Sequence, residues 1–154
     1  MAFVTPTTPN LADFNVFLAT SVKIPTAALP SDSPWPGYAF AQAMQLTLAI
    51  PGVSGLLYTL AVYNCATHIL FAITPDQDGQ TYFVDARSSS GFNLINPSAG
   101  LVQAASDDGT SSSYKVPDWV SGLTIGQLGF YKTPWGREYL SFIQSYGPTI
   151  VGLT

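Results

Sequence analysis

Residues 53–73 read VSGLLYTLAVYNCATHILFAI, and this stretch decides the fold class. It holds no proline, no glycine after Gly55 and no formal charge, so nothing in it interrupts a helix. Pro51 and Gly52 break the chain before it and Pro75 stops it after. Its length is close to the roughly 20 residues of a membrane span. Thr59, Asn64, Thr67 and His68 interrupt its apolar character, however, and no positive flank anchors it. Thr59, Tyr63 and Thr67 recur at i, i+4 and i+8 and form a polar-tinged stripe on an apolar helix. A helix buried by protein is therefore expected, with no membrane partner.

On the N-terminal side, Thr5 to Pro9 are rich in Thr and Pro and predict an extended arm. Asn10 is placed to cap a short helix with Leu11, Phe14, Phe17 and Leu18 on one face. Pro25 and Pro30 close that segment, and residues 30–36 form a turn. Pro36 suits the first turn of a second helix running through Tyr38, Phe40, Ala43, Met44 and Leu46.

The C-terminal side is less regular. Asp78-Gly79 is a turn, Tyr82, Phe83 and Val84 predict a strand, and Ser88 to Gly91 predict a loop. Leu101 to Ala105 and Ser111 to Val116 predict two strands joined at Asp107-Asp108-Gly109. Leu123, Gln127, Leu128 and Tyr131 predict a short helix weakened by Gly126 and Gly129. Thr133 and Pro134 then supply cap and first position of a last helix, with Tyr139, Leu140, Phe142, Ile143 and Tyr146 on its apolar face. Gly147-Pro148 ends it, leaving an uncharged tail from Thr149 to Thr154. With no repeat and no long linker, the 154 residues predict one domain, mainly α.

Composition bears on function. Only 9% of residues are charged, against roughly 25% in a typical soluble domain. Aromatic residues reach 13%, and permanent interfaces share this pattern of few charges and many aromatics. Five Lys and Arg (Lys23, Arg87, Lys115, Lys132 and Arg137) and a net charge of −4 argue against tight nucleic-acid binding. The single cysteine, Cys65, excludes an internal disulfide framework and fits synthesis in a reducing cytoplasm. No basic, apolar leader opens the sequence, so no secretory signal is expected.

Candidate chemistry is sparse. Cys65 and His68 share a helix face, as a thiolate–imidazole nucleophile requires. No third orienting group accompanies them, and a buried structural pair is the favoured reading. Asp76-Gln77-Asp78-Gly79 opens like a calcium loop, but the twelfth position, which needs a bidentate Glu, is Arg87. No zinc spacing, phosphate loop or nucleophile elbow occurs. No catalytic residue, metal ligand or cofactor site is expected, and the chain reads as a non-enzyme.

Four features in order carry a resemblance: the opening helix at Leu11-Ala12-Asp13-Phe14, the run Ala66-Thr67-His68-Ile69-Leu70, the hairpin around Ala105 to Tyr114, and Thr133-Pro134-Trp135-Gly136-Arg137-Glu138-Tyr139-Leu140. Together they resemble the head–tail connector (adaptor, head-completion) proteins of tailed bacteriophages. The last is similar to that family's Thr-Pro-aromatic-Gly-x-x-Tyr-Leu signature. Residues 76–100 depart from the family, being longer and richer in Ser and Asn.

The resemblance implies a small antiparallel helical bundle with a β-hairpin insertion (about 101–116) and extended N- and C-terminal arms. It implies a virion protein of the neck, at the head–tail junction, made in the bacterial host cytoplasm. It also implies a homo-oligomeric ring, commonly a dodecamer, that binds the portal, extends the DNA channel and docks the tail or a collar (gateway) protein. Genomic DNA would pass through the lumen without specific binding. Candidate partner-binding residues are Trp135, Arg137 and the C-terminal arm Gly147, Pro148, Thr149, Ile150, Val151, Gly152, Leu153 and Thr154. The alternatives are another virion protein, such as a tail terminator or decoration protein, and a small Cys–His hydrolase.

Overall fold

The computed structural model describes residues 3–47, 52–89 and 129–146, together with the backbone of two short strands at 104–107 and 110–113. The protein is mainly helical. Its first helix, α1 (Leu11–Phe17), starts where Asn10 is extended and its side-chain oxygen accepts the Asp13 N–H at 2.8 Å. This satisfies one of the orphan donors that open every helix. The chain then loosens into a π turn, Leu18–Val22, and stops at Lys23, which is left-handed at φ 62°. The Ile24 N–H reaches back to the Leu18 carbonyl at 3.1 Å and closes the end.

The second helix, α2 (Trp35–Leu46), follows Pro34 and carries Pro36 in its first turn, where a missing N–H costs nothing. It buries Pro36, Ala39 and Ala43, whereas Tyr38, Met44 and Leu46 are exposed. The small alanines thus form its inner face, which lets its backbone approach α3 closely.

Helix α3 (Gly55–Ile73) is capped by Ser54, whose hydroxyl accepts the Leu56 N–H at 3.3 Å. Eleven of its residues are buried, including Thr59, Tyr63 and Thr67, so the polar-tinged stripe lies inside the protein. The Thr67 hydroxyl is satisfied by the Tyr63 carbonyl one turn back at 2.8 Å. The helix is long and apolar enough to cross a membrane, but 61% of its apolar window is buried against the rest of the chain. It is the axis of the fold: α2 and the last helix (Pro134–Tyr146) pack on it, the short helix Tyr82–Ser88 meets its C-terminal end, and α1 packs on α2.

The expected strand at Tyr82–Val84 is instead a helix, α4 (Tyr82–Ser88). Its start is set by the side chain of Asp76, which accepts the N–H groups of Phe83 (2.7 Å) and Val84 (2.9 Å). A carboxylate on two free N–H groups stabilises a helix start more than a three-residue β-favouring run opposes it. The expected loop is corrected in part as well, since Ser88 closes this helix with its hydroxyl on the Val84 carbonyl at 2.8 Å. Residues 90 and 91 lie outside the described residues.

Strands β1 (Ala104–Asp107) and β2 (Thr110–Ser113) pair antiparallel, with Ala104 opposite Ser113 and Asp107 opposite Thr110. The expected helix around Leu123–Leu128 falls outside the described residues. The last helix, α5 (Pro134–Tyr146), buries Gly136, Tyr139, Leu140 and Phe142. Tyr146, expected on its apolar face, is exposed.

Aromatic rings fill the spaces between helices. Tyr63 sits fully buried among Phe14 (5.4 Å), Phe17 (5.6 Å) and Phe40 (6.3 Å). At the other end of α3, Phe71 meets Phe83 edge-on at 5.4 Å and stacks on Trp135 at 4.7 Å. Each fully buried ring contributes about 2–3 kcal/mol of burial, and favourable ring pairs add roughly 1 kcal/mol.

Candidate functional site

The two groups that a Cys–His hydrolase would need both lie on α3, and neither is free to react. Cys65 is fully buried, and burial pushes its thiol up to about 12. A nucleophilic cysteine needs the opposite shift. The hydroxyls of Thr47 and Tyr139 lie beside the thiol and ease that rise only partly. The Thr47 hydroxyl itself makes no hydrogen bond of standard geometry, and the Tyr139 hydroxyl donates to the Leu46 carbonyl at 3.3 Å.

His68 is committed elsewhere. Its Nδ1 lies 2.8 Å from the Thr133 hydroxyl, and its ring packs on Phe130 at 4.5 Å. Burial pulls its pKa down to about 4, so it is neutral at pH 7. Thr133 has its own second task as the cap of α5, accepting the Gly136 N–H at 2.9 Å. One hydroxyl therefore serves both the imidazole and the start of the helix, using its donor and acceptor capacity together. The arrangement joins α3 to the start of α5.

Asp76 and Arg87 form a second joint. While Asp76 holds the start of α4, the Arg87 guanidinium donates to the carbonyls of Phe71 (3.1 Å) and Thr74 (2.7 Å) at the end of α3. A guanidinium there satisfies orphan carbonyls and complements the helix dipole. The two side chains approach to 4.0 Å. The acid that opens the calcium-like motif is therefore a helix cap, and no cluster of metal-ligating residues occurs among the described residues.

The predicted partner-binding residues divide. Trp135 is half-buried, stacked on Phe71, and so helps hold α5 to α3. Arg137 is exposed one residue beyond Gly136, donates to the Tyr131 carbonyl at 3.2 Å and lies over the Tyr131 ring at 5.9 Å. Residues 147–154 lie outside the described residues.

Two shallow concavities flank the outer side of α5. One, of about 200 Å³, is lined by Tyr131, Arg137, Leu140 and Gln144. The other, of about 300 Å³, runs between α3 and α5, with Leu57, Leu60 and Asn64 facing Glu138, Ser145 and Tyr146. Ser141 lines both, and the second also holds Glu138 and Ser145.

The segment 133–140 reads as a helix start and His68 as a neighbour of Cys65, whereas the pairing of His68 with Thr133, across 65 positions, leaves no local signal. Comparisons with protein-family models, curated proteins and solved structures return no match for this chain.

Proposed function

We propose that this chain is a structural virion protein, a head-to-tail connector (adaptor) subunit that works in a homo-oligomeric ring between portal and tail. The observation that carries the reading is a surface poor in charge and rich in exposed apolar side chains. Leu11 and Val16 on α1, Tyr38 and Met44 on α2, Leu56 and Leu57 on α3 and Tyr146 on α5 are all exposed. Scattered exposed apolar residues are ordinary in themselves. With only fourteen formally charged side chains (five basic, nine acidic) to keep 154 residues dispersed, they favour burial against neighbours. A closed ring uses two different faces of each subunit, which fits apolar residues spread over several helices.

In this reading the helices form a small antiparallel bundle, the 101–116 segment projects as a hairpin insertion, and the C-terminal arm engages the portal. Few Lys and Arg keep phosphate attraction low, as a channel that lets DNA slide requires. The ordered resemblance that ends in residues 133–140 supports the same role.

Cryo-electron microscopy of the virion neck tests it. A ring of copies stacked beneath the portal is the expected result. Copies on the capsid lattice or at the end of the tail tube would favour a decoration or tail-terminator protein instead. Absence from the particle would overturn the virion reading.

A further inference from the structure

The N-terminal arm crosses the protein as a strap with very few ties. Phe3 is its anchor: its ring meets Phe17 edge-on at 5.3 Å and Tyr63 at 6.0 Å, closing the aromatic cluster around Tyr63. Further along, the Thr7 carbonyl rests directly on Gly55, where any side chain would collide with it. The first turn of α3 is thus shaped to receive this backbone. The strap ends at Asn10, whose N–H and carbonyl both pair with the Tyr63 hydroxyl, at 3.3 and 3.0 Å.

Between those ends, residues 3–9 make no hydrogen bond among the described residues. Pro6 and Pro9 keep the segment extended and remove two donors. Val4, next to the anchor, is 83% exposed, and the helix that the strap leads into exposes Leu11 and Val16.

We infer that the strap is exchanged between copies: Phe3 of one subunit occupies the Phe17–Tyr63 pocket of the next, and Thr7 crosses that neighbour's Gly55. The contacts are the same within a chain or between chains, so exchange replaces each one it breaks. The absence of hydrogen bonds along the strap keeps the barrier to release low. Exchange also brings Val4 and the exposed side of α1 against a neighbour, a gain that the closed single chain lacks. The partner is a second copy of this chain. The inference rests on the self-assembly in the reading above, and it adds which segment links the copies.

The test mixes two full-length variants, Phe3→Cys and Phe17→Cys, under assembly conditions and adds a short thiol-to-thiol cross-linker. The native Cys65 is fully buried and does not compete. Exchange predicts a covalent heterodimer in the mixture and in neither variant alone. A cross-link that forms only inside the double variant, with none in the mixture, overturns the inference. A surface pair, Thr7→Cys with Leu56→Cys, repeats the experiment without touching the core. A cross-link between chains with no copy in the virion neck would keep this inference and remove the connector reading. A ring in the neck with only intrachain cross-links would do the reverse.

Discussion

His68 and Thr133 stand 65 positions apart, and a 2.8 Å hydrogen bond between them ties α3 to the capping residue of α5. The same Thr133 hydroxyl takes the Gly136 N–H at 2.9 Å. Protonating the imidazole would place a charge on a ring that is buried and packed on Phe130.

That arrangement sets a pH dependence. His68 titrates near 4 in the folded chain and near its ordinary 6.5 when unfolded. Above pH 6.5 both states are neutral, and the group adds no slope. As pH falls from 6.5 to 4, the unfolded chain binds the proton first, so stability falls, by up to about 3 kcal/mol in total. Urea midpoints measured from pH 7.5 to 4 should decline through this window. In His68→Gln, which retains a polar side chain but cannot titrate, this part of the slope should vanish. An unchanged slope would show that other groups produce it.

Thr133→Ala removes a cap and strands the imidazole together. Losing a cap costs about 1 kcal/mol, and a buried polar group left unsatisfied costs about 1–3 kcal/mol. The combined loss should be about 2–4 kcal/mol by chemical denaturation. Thr133→Ser keeps the hydroxyl and should recover most of it. If Ser fares no better than Ala, the methyl packing and not the hydrogen bonds holds this joint.

How much of this was legible beforehand depends on distance along the chain. Asn10, Pro36, Thr133 and Pro134 mark helix starts within four residues of themselves, and residues 53–73 carry their own hydrophobicity, so these helix starts and the long helix could be read directly. Asp76 acts seven and eight residues downstream, and without it Tyr82-Phe83-Val84 looks like a strand. The inner face of α2 was obscured for another reason. Its large residues Tyr38 and Met44 attract attention, while the small Ala39 and Ala43 make the contact. For Cys65 and His68 the sequence offered a shared helix face. Only the fold shows that each has a different partner, one beside Thr47 and Tyr139, the other on Thr133.

Gly136 is required by space. A Cβ there would run into the Phe130 carbonyl and sit 2.9 Å from the Thr133 hydroxyl. The obstacle on one side is backbone, which cannot swing away. Gly136→Ala should therefore cost about 2 kcal/mol or more, although alanine favours helix by roughly 1 kcal/mol at an unobstructed site. Thermal unfolding of this variant against Gly129→Ala, where no atom of the described residues stands within 4 Å of the added carbon, separates crowding from helix propensity. Equal Tm values for the two would contradict the crowding argument.

Asp76 and Arg87 should behave as a coupled pair. Arg87→Met removes donors from the Phe71 and Thr74 carbonyls, and Asp76→Ala removes the acceptor of two N–H groups. Each should cost about 2 kcal/mol, since hydrogen bonds to charged groups are worth more than neutral ones. Both side chains brace α4 against the end of α3, so the double variant should lose less than the sum of the singles, with a coupling of roughly 1 kcal/mol. Strict additivity would mean that their 4.0 Å approach is incidental and that each acts on its own helix.

The C-terminal arm offers a test of function separate from folding. Helix α5 makes its buried contacts through Gly136, Tyr139, Leu140 and Phe142, all before Tyr146, so a chain ended after Tyr146 retains them. Its circular dichroism and Tm should match those of the full chain. In the connector reading the removed segment, Gly147 to Thr154, is what engages the portal, through an uncharged, β-favouring stretch suited to adding a strand to a partner sheet. Co-sedimentation of the truncated chain with portal rings should then be lost. Portal binding at full strength by a folded truncated chain would reject the arm as the portal contact. The search would then move to the exposed Arg137–Tyr131 surface of α5, where Arg137→Ala should weaken binding without lowering Tm.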